Sequence, residues 1–383
     1  MARTNNLTNF LTDVADSIRE KTGKSDPIAC EDFDTEIESI ETGGGDFIIT
    51  DGRYLFYNGA RSSQFDDIMS ILGALTTTVD MFRSNSSLNK SVVLTNQNLD
   101  SLTNRDSYYQ MFSGCQNIPE ISLSSTSTVP TNCGNMFSGC NELAKLTLNI
   151  NTTNVTQYMS MFSGCKKLKA IDLTNFNFSK ITSSINMPSF YHCENLENLI
   201  LPNSFYEKIN SLNGMPSNLF GYCYKLPVND FFEKYTGTRL SSEAFTHCKL
   251  LTIKTLPDTI TYVDQRVFQY CTGLTQLSEN NVTNFYCTAS GNPVFVGCSN
   301  MIAIWCGSAL TTTNNYSFLG MSKLKKLFID KPRATVEAMT GYAQAFQGNT
   351  GQTAKDKIIC NDDAGFMTKA EFDAIDWENY TEE

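Results

Sequence analysis

Apolar residues recur along this chain in a fixed phase that is neither a helical stripe nor a simple alternation. Met161-Phe162-Ser163-Gly164-Cys165 is followed by Leu168, Ile171 and Leu173. The same spacing carries Met136-Phe137-Ser138-Gly139-Cys140 to Leu143, Leu146 and Leu148, and Met111-Phe112-Ser113-Gly114-Cys115 to Ile118, Ile121 and Leu123. The pattern F-x-x-C-x-x-L-x-x-L-x-L returns at Phe190/Cys193, Phe220/Cys223, Phe245/Cys248, Phe268/Cys271 and Phe295/Cys298, with altered copies at Phe82/Asn85 and Phe318/Met321. Successive Phe positions lie 23 to 30 residues apart. A period of that size means one supersecondary unit per repeat, stacked on its neighbours to share a continuous core.

Within a unit, apolar residues three and then two apart place Leu146 and Leu148, or Ile171 and Leu173, inward on a short strand, and strands of successive units must pair in parallel. The Met-Phe-x-Gly-Cys segment is too short for more than a turn of helix on the opposite side. Links such as 149–154, rich in Asn and Thr, suit side-chain-capped turns. The longer steps into Phe190 and Phe220 mark insertions, and residues 203–214 and 228–238 are expected as protruding loops. The outward strand place, seven positions after the ladder cysteine, reads Ser122, Thr147, Asp172, Ile200, Ser278, Trp305 and, counting from Met321, Phe328. A large aromatic on a solvated strand face either binds something or is covered. Coverage by the segment carrying Phe366, Phe372 and Trp377 is the favoured reading for Trp305 and Phe328; the alternative is a stacking platform for sugars or partner side chains. Thr147, Asp172, Ile200, Trp305 and Phe328 are accordingly the candidate partner-binding residues.

The ends break the period. Leu7, Phe10, Leu11, Val14 and Ile18 keep helical spacing, and a second short helix over about 30–41 carries Phe33, Ile37 and Ile40 on one face. Gly43-Gly44-Gly45 reads as a joint, and Asp51-Gly52 as the turn of a hairpin. After Asp330, Lys331-Pro332 interrupts the repeat, with a helix expected over 334–339, a strand at 357–360 and a helix at 369–375. The chain therefore divides into a two-helix attachment or oligomerisation module (1–42), a hairpin and N-terminal cap (43–80), about ten repeats (81–330) and a C-terminal cap (331–383).

Leu256-Pro257-Asp258-Thr259-Ile260-Thr261-Tyr262-Val263, running into Val267-Phe268-Gln269-Tyr270-Cys271, resembles the BspA-like class of bacterial leucine-rich repeats. Thr153-Asn154-Val155-Thr156 before Met161-Phe162 fits a sister form. The resemblance implies an α/β repeat solenoid, a right-handed leucine-rich-repeat coil with a short-stranded parallel sheet and helical terminal caps. It also implies binding, since such families are mostly surface adhesins, host-contact proteins and phage tail components. The two N-terminal helices resemble a module found near the N-terminus of phage tail and fibre proteins. Together these imply a phage tail-fibre-like receptor-binding component of a virion. Its partner would be a host-surface protein or glycan, and its N-terminal helices would join other virion proteins or copies of itself in a homo-oligomer. The alternative is a bacterial cell-surface adhesin of the same repeat class.

Composition narrows the chemistry. Lys+Arg number 29 against 40 Asp+Glu, a net charge of −11 with no basic run, which argues against nucleic acid or an anionic membrane surface as partner. No stretch reaches the roughly 18 apolar residues of a membrane span, so membrane insertion is not expected. Met1-Ala2-Arg3-Thr4-Asn5-Asn6-Leu7 lacks the apolar core of a secretory signal, which points to assembly in the bacterial cytoplasm. Eight of the 13 cysteines hold one repeat position, as stacked core thiols would. His192 and His247 each precede a ladder cysteine and make Cys–His catalysis formally available. Gly139, Gly164, Tyr222 and Tyr270 fill the same place, however, so the position is structural. Residues 361–371 resemble the end of an EF-hand loop, but Cys360 and Ala364 stand where its first and fifth ligand places fall. No catalytic residue, cofactor or metal is expected, and the chain reads as a non-enzymatic binding protein.

Overall fold

The computed structural model describes residues 47–50, 53–56, 78–84, 86, 88–89, 91–95, 106–212, 214–287, 292–313, 318, 320–342 and 357–381. The expected two-helix module at 1–42 lies outside them. In sequence order, the hairpin is β1 (Phe47–Thr50) with β2 (Arg53–Phe56), paired antiparallel.

Each repeat opens with tight turns in place of the expected helical turn. In the Phe137 repeat, Met136, Ser138 and Cys140 N–H close four-residue turns on the carbonyls of Cys133, Asn135 and Phe137 at 3.4, 3.1 and 3.1 Å. Asn135 and Gly139 sit at φ 53° and 76°, a left-handed conformation that interrupts any helix and that Asn and Gly tolerate best. The intervening amides of Cys133, Asn135, Phe137 and Gly139 turn outward. They donate to Gln157, Met159, Met161 and Ser163 carbonyls of the next repeat at 2.8, 2.8, 3.0 and 2.7 Å. One set of amides thus shapes the coil and the other staples it to its neighbour, which satisfies backbone groups that stacking would otherwise bury unpaired.

The strand segments then pair in parallel. β3 (Val92–Leu94), β4 (Glu120–Ser125) and β5 (Lys145–Ile150) form one sheet, and β6 (Ala170–Asp172) pairs with β7 (Asn198–Ile200). The two segments expected as protruding loops are largely short helices packed on the core, α1 (Asn203–Ser211) and α2 (Asn229–Lys234). The apolar pairs Phe205/Ile209 and Phe231/Phe232 pull them in, and all four side chains are buried. From residue 239 the strands divide between two parallel sheets. One is β8 (Arg239–Leu240), β9 (Tyr262–Val263), β11 (Asn284–Phe285) and β13 (Thr312–Thr313). The other is β10 (Gln276–Glu279), β12 (Ala303–Cys306), β14 (Lys326–Ile329) and β15 (Ile358–Cys360). The C-terminal segment adds α3 (Arg333–Glu337) and α4 (Lys369–Ala374), the latter started by a Thr368/Glu371 capping box. The architecture is a parallel-strand solenoid of stacked coils with few helices.

A single file of phenylalanine rings runs through the core. Phe82, Phe112, Phe137, Phe162, Phe190, Phe220, Phe245, Phe268, Phe295 and Phe318 follow one another at centroid spacings of 5.0 to 6.1 Å. Beside it run the ladder cysteines. Each sulfhydryl donates to the carbonyl of the preceding repeat's phenylalanine, as in Cys140 to Phe112 at 3.1 Å, Cys165 to Phe137 at 3.2 Å and Cys193 to Phe162 at 3.2 Å. That carbonyl already accepts the N–H of its own repeat's cysteine, so the thiol takes its second lone pair. Cysteine therefore suits the place as a small apolar group with one weak donor. Burial pushes the Cys165 thiol up to about 12. Because thiolate is the attacking species, alkylation of Cys165 in native protein is expected to be far slower than in urea-unfolded protein, read by mass spectrometry. Equal rates would show that the ladder opens freely.

β10 ends on a buried carboxyl. Glu279 accepts the N–H of Val282 at 2.7 Å and that of Gly307, one repeat on, at 3.0 Å. Burial pushes it up to about 7 from an ordinary value of 4.5, against the pull of those two amides. Between these values the folded chain holds a proton that the unfolded chain has released, so stability is full below about pH 4.5 and falls as pH rises through 7. Chemical denaturation from about pH 4 to pH 8 is expected to reveal a loss of about 3 kcal/mol from this group. In Glu279→Gln that component of the slope should disappear; an unchanged slope would place the titration elsewhere.

Candidate binding surface

The strand stack has an inward and an outward row. Inward, Ile121, Leu123, Ile171 and Leu173 are buried, while Leu146 and Leu148 are half-buried against the same core. Outward, the register aligns Val93 with Ser122, Ser122 with Thr147, and Asp172 with Ile200. Val93 is 51% and Ile200 53% exposed, and Thr147 and Asp172 are also exposed. Ion pairs between successive repeats edge this row: Lys145–Glu120 at 2.5 Å, Lys225–Glu197 at 3.7 Å, and Lys167 with Glu142. Asp172 is committed locally. Its carboxylate accepts the N–H and hydroxyl of Thr174 at 2.9 and 2.6 Å, contacts that hold it below the usual carboxylate range. It shapes the turn after β6 as well as facing solvent.

The same row further on is closed. Ser278, Trp305 and Phe328 are 0%, 5% and 1% exposed. The segment after β15 folds back over them. Trp377 and Phe372 pack on Phe328 at ring-centroid distances of 6.2 and 5.9 Å, and Trp305 Nε1 donates to Met367 O at 3.1 Å. Ser278 Oγ donates to Asp373 Oδ1 at 2.6 Å. A second apolar cluster of Ala303, Trp305, Phe328, Phe372 and Trp377 results, separate from the main core. Trp305 and Phe328, proposed from sequence as partner-binding candidates, are thus withdrawn from the surface, and a stacking platform there is excluded. Two large apolar side chains in the outward row required a cover, and an aromatic-rich tail supplies it.

The left-handed place before each ladder cysteine explains the histidines. His192, Tyr222, His247 and Tyr270 hold φ between 56° and 63°, where other repeats have glycine. Their rings stack in sequence at 4.1, 4.2 and 4.5 Å. Burial, reinforced by Lys249, keeps His247 below its ordinary value. The neighbouring thiols point into the core and donate to phenylalanine carbonyls, so no imidazole–thiol pair is assembled at either histidine. Cys360, Asp362 and Asp363 come close enough to share an ion, but Asp363 is held by Arg333 Nε at 3.0 Å and by Cys360 N–H at 2.7 Å. Nothing else marks that cluster as a cation site.

An outward-facing row on a stack of parallel coils defines a parallel-strand repeat scaffold. Residues 170–282 and 213–350 match the family model described as BspA type Leucine rich repeat region (6 copies). Over residues 170–350 the chain is thus similar to BspA-type leucine-rich repeats. Residues 106–220 match a second model, described as Mycoplasma protein of unknown function, DUF285. Among solved structures, it is similar to a leucine rich cell surface protein from Faecalibacterium prausnitzii A2-165, at 15% identity and TM-score 0.39, covering 87% of this chain and 96% of that one. A leucine-rich repeat protein from Bacteroides ovatus ATCC 8483 matches at 18% identity and TM-score 0.39, covering 75% and 87%. The pneumococcal vaccine antigen PcpA matches at 11% identity and TM-score 0.36, covering 83% and 98%. No curated protein matches the chain.

Proposed function

We propose that this chain is a non-enzymatic adhesin, displayed at a bacterial cell surface, that presents the open strand row from Val93 to Ile200 to a macromolecule on a host cell. The observation that carries the reading is the contrast along one row. Its late members are sealed beneath the C-terminal segment, while its early members leave Val93 and Ile200 about half exposed among polar neighbours. Exposed aliphatic groups set in a polar row offer apolar area that a protein partner can bury inside a polar rim. The BspA-type repeat match supports the same reading. The tail-fibre alternative draws on the resemblance of the N-terminal helices, which lie outside the described residues.

Purified protein is expected to bind host cells, and Val93→Glu with Ile200→Glu should weaken that binding at least about tenfold, the effect of losing one or two interface anchors. The melting temperature should change little, since both side chains already face solvent. Surface labelling of intact bacteria should find the protein on the envelope. Detection on purified virions instead would replace the adhesin by the tail-fibre reading.

A further inference from the structure

Between the Phe162 and Phe190 repeats the ladder of cross-repeat amides thins. Where the Phe137 repeat sends four turn amides to its successor, the Phe162 repeat joins the next through Tyr158 N–H to Asn186 O at 2.8 Å and Gly164 N–H to Tyr191 O at 2.7 Å. The inserted residues about Ser184–Asn186 and residues 214–218 before Phe220 border this opening. Between them and Arg239 lies a cavity of about 640 Å³. That volume is within the range of about 300–1,000 Å³ typical of small-molecule sites.

Its lining has two kinds of group. Ser160, Ser163, Ser184, Ser217 and Ser242 bring hydroxyls that form no side-chain hydrogen bond among the described residues. Asn218 adds a buried Oδ1 without a partner, held in place because its N–H donates to Ser242 O at 3.0 Å and its carbonyl accepts Ser189 Oγ at 3.0 Å. Met159 and Ile185, 36% and 60% exposed, supply an apolar side. The charged members are Arg239 and Asp264, and they neutralise each other through two 2.8 Å hydrogen bonds.

The geometry points to a binding site for a neutral, polyhydroxylated ligand, a saccharide of one or two rings. Hydroxyl groups that both donate and accept match those of a sugar, and an unmet acceptor is most cheaply satisfied by a ligand hydroxyl. The apolar side receives the C–H face of a sugar ring. Self-neutralised charge leaves nothing to favour an anion, and the volume admits no folded partner. The site lies apart from the Val93–Ile200 row and goes beyond the adhesive reading.

The test titrates purified full-length protein with glucose, galactose, mannose, N-acetylglucosamine, lactose, maltose and chitobiose, with inorganic phosphate as the anionic control. Saturable binding of at least one sugar is expected. Asn218→Gly removes the acceptor at a φ of +60° that glycine holds without strain. It should weaken binding by about tenfold, the worth of one buried hydrogen bond, with the melting temperature retained. Ser217→Trp, at an exposed position on the lining, should block the site without touching the core. No saturable sugar binding, binding untouched by both variants, or preference for phosphate would each overturn the proposal. Host-cell binding by Asn218→Gly should match wild type, so failure here is distinguishable from failure of the adhesive row.

Discussion

Phe162→Ala is expected to destabilise the solenoid by about 3–5 kcal/mol, the range for removing a large buried aromatic. The ring is fully buried and stacks on Phe137 at 6.0 Å and on Phe190 at 5.5 Å, almost parallel to the latter. Alanine leaves a ring-sized void that its neighbours cannot fill, because each is held by a backbone ladder of its own. Two repeat interfaces lose a contact at once, and in a one-dimensional stack those interfaces carry the cooperativity. Phe162→Leu should fall well below the alanine cost, since it restores much of the volume. The control is Tyr270→Gly, half-exposed at the left-handed place where other repeats already carry glycine, expected within about 1 kcal/mol of wild type. The measurement is urea unfolding followed by far-ultraviolet circular dichroism. If Phe162→Ala and Tyr270→Gly cost the same, the ring file is not what binds the repeats together.

That file was legible in the sequence because a repeat shows the same physical demand many times over. One Phe-x-x-Cys says little, whereas ten phased copies fix which residues share a core, and the buried Phe, Cys and Leu positions are the ones the pattern selects. What the pattern hides is anything that one repeat does differently. Residues 203–211 and 229–234 carry too few apolar residues for a helical period to stand out, yet Phe205, Ile209, Phe231 and Phe232 are enough to fold each segment onto the core. The tight turns escaped for another reason. A left-handed residue is unmistakable as glycine but not as Asn135, His192 or Tyr222, whose φ is positive all the same. The alternation Gly, His, Tyr at one repeat place was the available signal. It marked a structural position without revealing the ring column. The second sheet, β8 with β9, β11 and β13, rests on strands of two residues, below the reach of any alternation. The cavity arises from insertions visible as longer steps, although their consequence, a gap between coils, depends on which cross-repeat amides lose register.

The covered end of the outward row makes the second large effect. Trp377→Ala is expected to uncouple the C-terminal segment from the sheet, at a local cost again of about 3–5 kcal/mol. Trp377 is fully buried, its ring lies 5.0 Å from Phe372 and 6.2 Å from Phe328, and its Nε1 donates to Phe372 O at 3.0 Å. The remaining ties of this segment across the row are Phe372 on Phe328, at 5.9 Å between ring centroids, and hydrogen bonds such as Ser278 to Asp373 and Lys325 Nζ to Tyr380 O at 3.0 Å, worth about 1 kcal/mol each. Losing the ring removes a fully buried side chain of the cover and the ring against which Phe372 packs. The repeats beneath keep their own file of phenylalanines, so the effect should remain local to the last sheet. With two tryptophans in the chain, the variant leaves Trp305 as the sole indole reporter. Its emission should shift to the red as water reaches a ring now 5% exposed, and amide exchange should accelerate over 366–380 but not over 111–173. An unshifted Trp305 spectrum with unchanged exchange would mean that β15, paired with β14 from Ile358 to Cys360, holds the cover down by itself.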